Sequence, residues 1–221
     1  MKILLINGSP KGESSNSLRL ARSFIEGLMS VAPNIGDPGD TDPGDTDSGD
    51  MDPGDMDPTR TDLSEEGQTQ NDDELRVLTL SKMNIAPCRG CFCCWNKTPG
   101  QCIIADDMKT VLEDKLWADV IVWSFPLYYF NVPGILKNLI DRQLPLCLPF
   151  MSDKEGVGSG SHDARYDMSR TKNVLISTCG FYSAEKNYDS VLKMFDHFLG
   201  EGNYETIFCG QGELFRVKEL H

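Results

Sequence analysis

Five short apolar runs, separated by stretches whose apolar residues recur every three or four positions, restrict this chain more than any other feature. Residues 2–7 form the first run, and Leu18, Ala21, Ile25, Leu28 and Met29 then repeat at helical spacing. Residues 74–80 read as a second strand. Asp106 and Asp107 are placed to cap a helix with an apolar face of Met108, Val111, Leu112 and Leu116. A third strand, residues 119–124, contains Val-Ile-Val-Trp. Pro133 then opens a helix with Ile135, Leu136, Leu139 and Ile140 inward. Residues 173–178 predict a fourth strand and residues 204–209 a fifth. Between them lies a stripe of Tyr188, Val191, Leu192, Phe195 and Leu199, closed by Gly200. Strands buried along their length and alternating with helices predict an α/β fold, a doubly wound five-stranded parallel sheet covered on both faces.

The alternation breaks once. From Gly39 the chain runs Gly-Asp-Thr-Asp-Pro, Gly-Asp-Thr-Asp-Ser and two copies of Gly-Asp-Met-Asp-Pro. Each unit sets two carboxylates against one methyl-bearing side chain, so burial cannot offset the entropy of ordering it. Residues 33–73 are therefore expected to be a disordered acidic insertion in a single domain spanning 1–221. Calcium binding there lacks the closing bidentate Glu, and weak nonspecific attraction of cations is the expected behaviour. Of the net charge of −13, residues 36–74 hold fifteen Asp and Glu against the single Arg60; the remaining nineteen acids against twenty bases leave +1. A near-neutral folded part with no basic stripe disfavours nucleic acid as a partner. The first apolar run is too short for a signal peptide, and no segment reaches membrane-spanning length. A cytoplasmic location is expected, with no membrane partner.

Two loops should carry the chemistry. In the flavodoxin-like strand order 2-1-3-4-5, ligands bind where the order reverses, at the carboxyl ends of strands one and three. Those loops are residues 7–17 and 124–131. The first, from Gly8 to Ser17, is dense in hydroxyls and enters a helix; it can wrap a phosphate, or it can serve as a cap alone. It is neither a Walker loop nor a Gly-x-Gly-x-x-Gly turn. The second carries Phe125, Tyr128, Tyr129 and Phe130, which offer stacking surface to a flat ring, ordinary packing or an oligomer contact. A neighbouring loop, residues 177–182, contains Gly180, where backbone could approach a ligand closely.

Five of the eight cysteines fall within the fifteen residues from Cys88 to Cys102. In a reducing compartment such crowding points to redox or metal chemistry rather than structural disulfides. Cys88, Cys91, Cys94 and Cys102 have the spacing of ligands to one [4Fe–4S] cluster, with Cys93 surplus. Zinc, or thiols that are redox-active or simply buried, are the other readings. Cys147, Cys179 and Cys209 are isolated.

Taken together, Gly8-Ser9-Pro10 with Ser15-Asn16-Ser17, the cysteine block through Thr98-Pro99-Gly100, Pro126-Leu127-Tyr128-Tyr129 with Pro133-Gly134 and Asp141-Arg142, and Ser177-Thr178-Cys179-Gly180-Phe181 resemble the flavodoxin-like NAD(P)H-dependent FMN reductases, including the iron–sulfur flavoproteins. The resemblance implies FMN, with its phosphate on Ser9, Lys11, Ser15, Asn16 and Ser17. It implies a ring held by Pro126, Leu127, Tyr128, Phe130 and Asn131 and bordered by Thr178, Cys179, Gly180 and Phe181. It further implies NAD(P)H as hydride donor and a quinone, a flavin or an electron-carrier protein as acceptor. The alternative it leaves is an iron–sulfur flavoprotein or flavodoxin-type electron carrier without nicotinamide activity. Hydride transfer needs positioning more than a catalytic base, so no catalytic side chain is named, and His162, His197 and His221 are read as surface or core residues.

Two features depart from that pattern: the acidic insertion, and an end at His221 just after residues 212–215 start what reads as a last helix. Sheet left uncovered beside the first helix would favour a homo-oligomer. Residues 143–172 are a long connection of lid or dimer-arm type.

Overall fold

A computed structural model of the protein describes residues 1–31, 73–152 and 161–220. The expected acidic insertion, all but Asp73, lies outside the described residues, as do the calcium reading that falls on it and His221.

Strand β1 (Lys2–Asn7) leads into helix α1 (Asn16–Val31). Strand β2 (Glu74–Thr79) follows, then the short helix α2 (Cys93–Asn96), helix α3 (Met108–Trp117) and strand β3 (Val120–Pro126). Helix α4 (Gly134–Asp141) precedes strands β4 (Cys147–Ser152) and β5 (Ser161–Ala164), and the chain continues through β6 (Lys172–Thr178), α5 (Asp189–Leu199) and β7 (Tyr204–Cys209). The main sheet has the order β2-β1-β3-β6-β7, all parallel, which is the order expected from the alternation.

The period of two along each strand divides the core into two layers. Leu4, Ile6, Trp123, Phe125 and Leu175 pack with residues of α3, α4 and α5 on one face. Ile3, Leu5, Val122, Val174 and Ile176 pack with Leu18, Ala21 and Ile25 of α1 on the other. Leu75 and Val77 on edge strand β2 pair in register with Ile3 and Leu5, hence share the α1 face, and are exposed.

Four expectations are corrected. The connection 143–172 contains an antiparallel ribbon, β4 with β5, rather than loop alone; Pro149 and a run of Gly and Ser hid two short strands whose sides are half exposed. Leu116 is 41% exposed and Lys115 takes its place in the core stripe, because Lys115 is four residues from Val111 and seven from Met108 and so continues their face. Pro133 caps α4 with extended backbone instead of occupying its first turn. Residues 212–216 form a 3-10 turn, not an α-helix.

Candidate functional site

Strand β1 ends on Asn7, and this buried side chain shapes the first loop. Its Nδ2 donates to Gly12 O at 3.1 Å and its Oδ1 accepts from Ser9 N–H at 3.2 Å, which turns the chain back on itself before α1. Gly8 N–H donates to Ser124 O at 2.8 Å and ties this loop to the end of β3. A Cβ on Gly8 would lie 2.8 Å from Leu136 Cδ2, so only glycine lets the loop approach α4 this closely. Within the loop Ser15 and Ser17 share a hydroxyl hydrogen bond of 2.8 Å, and Ser9 Oγ accepts from Lys11 N–H at 3.2 Å.

The second loop is pinned by Leu127 N–H donating to Thr178 O at 2.9 Å. Tyr128 and Asn131 then exchange backbone hydrogen bonds of 2.8 and 3.0 Å around a two-residue turn. Tyr129 and Phe130 in that turn have φ of 48° and 61°, a conformation that aromatic residues adopt only under constraint. The turn presents Tyr129 to solvent at 97% exposure and sets Phe130 against Phe181 of the third loop, rings stacked at 5.4 Å. The third loop is joined to the chain beyond β7: Gly212 N–H donates to Cys179 O at 2.7 Å and Gln211 N–H to Phe181 O at 2.7 Å.

One cleft results. Ser9, Lys11, Ser15, Asn16, Pro126, Leu127, Tyr128, Thr178, Cys179 and Gly180 line it, together with Gly212 and Glu213. Ser17 lies just beneath, holding Ser15. Asn131, Phe130 and Phe181 stand beside the cleft rather than on its wall: Asn131 closes the turn and the two phenylalanines stack next to it. Gly180 has open space where a Cβ would project, so no crowding in this structure demands glycine there.

Three contributors had no local signal. Asn7 acts through the loop's shape. Gly212 arrives from 196 residues away and accepts from Asn16 Nδ2 at 2.7 Å; a Cβ on it would sit 2.8 Å from Thr178 Cβ. Glu213 pairs with Lys11 at 3.6 Å, both side chains exposed to solvent. Asn16 Oδ1 remains buried with no hydrogen-bond partner.

A second cavity lies at the other end of α4. Cys88, Cys91, Cys94 and Cys102 line it with Ile103, Leu144, Pro145 and Arg142, whereas Cys93, though buried, does not. Phe92, at φ 52°, stacks on Trp95 at 5.2 Å, and Trp95 Nε1 donates to Leu144 O and Cys147 O, so the cysteine segment is fastened to the start of β4. The eight described cysteines are all free thiols. Hydrogen bonds from the Cys93 backbone and thiol hold the Cys91 pKa below its ordinary value; the same thiol contact, with burial, raises that of Cys93, and burial raises that of Cys94. Among the described residues no three His, Cys, Asp or Glu side chains converge on a single metal ion, which leaves the zinc reading without a site there. Four thiols lining one cavity are the donor type that a [4Fe–4S] cluster takes.

The profile of a family with the flavodoxin-like fold matches residues 61–210. An iron-sulfur flavoprotein of Methanocaldococcus jannaschii is 42% identical over 69 residues, 31% of this chain and 34% of that protein. A ribosyldihydronicotinamide dehydrogenase (quinone) of Pongo abelii is 35% identical over 111 residues, 48% of this chain and 42% of that protein. The chain thus spans less than half the length of these curated relatives. In structure, an FMN-dependent NADH-azoreductase from Bacillus anthracis, solved in complex with FMN, superposes with a TM-score of 0.54 at 18% identity over 95% of this chain and 87% of that one, a likeness of fold. No described helix is long and apolar enough to cross a membrane.

Proposed function

The chain belongs to the flavodoxin-like fold family, and from that membership we propose that it is an FMN-dependent oxidoreductase that takes hydride from NAD(P)H and passes electrons to a small-molecule or protein acceptor. The observation that carries this reading is the convergence of three sequence-distant loops on one cleft at the carboxyl ends of β1, β3 and β6. Hydroxyls of Ser9 and Ser15, the amide of Asn16 and the ammonium of Lys11 meet where α1 begins, a donor set suited to a phosphate dianion. The unpartnered Asn16 Oδ1 leaves an acceptor for a ligand hydroxyl. Pro126, Leu127 and Tyr128 supply a flat wall for the ring, with Phe130, Asn131 and Phe181 holding that wall in shape. FMN, when bound, supplies hydride acceptance and electron transfer, while the protein binds, orients and shields.

The test is to titrate FMN into the folded chain and then add NADH or NADPH without oxygen. Binding followed by rapid bleaching of the yellow colour is expected; bound flavin that stays oxidised favours the carrier without nicotinamide activity, and no binding ends the proposal. Two substitutions should move affinity in opposite directions. Ser15→Ala removes a donor and its Ser17 partner contact, weakening FMN about tenfold or more. Glu213→Gln frees Lys11 and removes a like charge, tightening FMN by about two- to fivefold. Calorimetric titration of both variants reads the two signs.

A second reading is favoured by a specific observation. Four of the five clustered cysteines, with Cys93 left out, line one cavity, as a [4Fe–4S] cluster on Cys88, Cys91, Cys94 and Cys102 requires, and iron–sulfur flavoproteins are among the chain's relatives. Helix α4 joins this cavity to the flavin cleft, its eight residues running about 12 Å. A homo-oligomer belongs to the same proposal, since Leu75 and Val77 on the α1 face and the aromatics Tyr129 and Tyr182 beside the cleft are exposed. Sedimentation at micromolar concentration is expected to give a dimer or larger; a monomer excludes it.

A further inference from the structure

The cysteine cavity contains one buried donor that its protein surroundings do not satisfy. Arg142 stands at the C-cap of α4 with a side chain only 1% exposed. Nη1 donates to Ala86 O at 2.7 Å and to Asp106 Oδ2 at 2.9 Å, and Nη2 donates to Asp106 Oδ1 at 2.9 Å. Asp106 is in turn saturated by Ala86 N–H at 3.0 Å and Met108 N–H at 3.2 Å. The two charges cancel, and the fork fixes the guanidinium plane. Nε is the donor left over, buried and without a hydrogen-bond partner, on a residue that lines the cavity with Cys88, Cys91, Cys94 and Cys102. A purely structural tie between the loop before α3 and the end of α4 accounts for Nη1 and Nη2. It gives Nε nothing to do.

We propose that Arg142 is a positioning residue for a [4Fe–4S] cluster on these four cysteines, its Nε–H donating to sulfur on the Cys102 side of the cavity and raising the midpoint potential. The inference rests on the iron–sulfur flavoprotein reading above. Arg142 and Cys102 line the same small cavity, so the residue with the spare donor borders the space that this thiol borders. Sulfur carries more negative charge in a reduced cluster than in an oxidised one. A fixed donor therefore stabilises the reduced form more, and hydrogen bonds to sulfur are among the determinants of cluster potential. Because Asp106 cancels the arginine charge, the effect comes from the directed N–H.

The test uses the full chain, reconstituted with iron and sulfide without oxygen, as wild type and as Arg142→Lys, which keeps a cation against Asp106 and loses Nε. Iron and sulfide are assayed and the cluster is titrated potentiometrically by electron paramagnetic resonance. Both proteins are expected to load. The variant should show about a tenfold lower ratio of reduced to oxidised cluster at a fixed ambient potential, a fall of about 59 mV for one electron. Equal potentials in two loaded proteins overturn the role of Arg142 and leave the cluster standing. Wild type that takes up neither iron nor sulfide overturns the cluster reading, and this inference with it. If Arg142→Lys does not load, Asp106→Asn combined with Arg142→Met, which removes both buried charges together, is measured in its place with the same downward shift expected and the same overturning result.

Discussion

Replacing Asp106 by Ala is expected to destabilise the protein by about 3–5 kcal/mol, measured as the loss of unfolding free energy in urea at pH 7. The Asp106 and Arg142 side chains are 2% and 1% exposed, so the substitution strands a guanidinium where water cannot reach it. It also leaves the N–H groups of Ala86 and Met108 without their acceptor, and these anchor the cysteine segment and the start of α3. The effect should depend on pH in a defined sense. Burial works to raise the Asp106 pKa, but Arg142 and the two N–H groups hold it below the ordinary value of 3.8. For a carboxyl depressed in this way the contribution is complete above the unfolded pKa and is lost as pH falls through the folded one. Wild type and Asp106→Ala should therefore converge in stability as the solution becomes strongly acidic. A stability loss under 1 kcal/mol at pH 7 contradicts the assignment of this pair as a buried, mutually compensating anchor.

Lys115→Met is expected to do the opposite and stabilise the protein at pH 7, by about 1–3 kcal/mol. Lys115 is 4% exposed, over the ring of Trp123 at 4.8 Å and hydrogen-bonded to Gln143 Oε1, with no carboxylate partner among the described residues. Burial lowers its pKa from 10.5 to about 7, against a small opposing effect of Cys147. Between those two values the unfolded chain binds a proton that the folded chain has released, so wild-type stability rises with pH across that window. The rise between pH 7 and 8.5 should be about 1–2 kcal/mol and should be missing from Lys115→Met. The gain from substitution is smaller than the full shift suggests, because the methionine also forgoes the Gln143 hydrogen bond and the contact with the Trp123 face. A midpoint of urea unfolding at or below that of wild type at pH 7 would show that this lysine is adequately compensated.

Lys115 also marks where sequence reading stops. Leu116 and Lys115 are adjacent, and apolarity alone favours Leu116 as the core residue; the helix face set by Met108 and Val111 places Lys115 inside. The ribbon β4–β5 was hidden for a related reason, since strands with half-exposed sides and an internal proline lack the alternation that reveals a strand. The cleft at the carboxyl ends of the strands was more legible. Ser9, Lys11, Ser15, Asn16, Pro126, Leu127, Tyr128, Thr178, Cys179 and Gly180 all belong to loops that the strand order alone brings to one end of the sheet, and these ten residues line it. Glu213 and Gly212 do not, because they reach the cleft only after β7 has been placed and the chain has folded back across Asn16.

By itself the sequence determined the parallel sheet, its strand order and the candidate loops, because apolar periodicity and turn chemistry are local and survive in the order of the residues. Only the tertiary structure decided that Arg142 shares one cavity with Cys88, Cys91, Cys94 and Cys102, that its Nε is left buried without a hydrogen-bond partner, and that Glu213 stands against Lys11. Those outcomes depend on directions of side chains brought together from opposite ends of the chain, and no spacing within a segment encodes them.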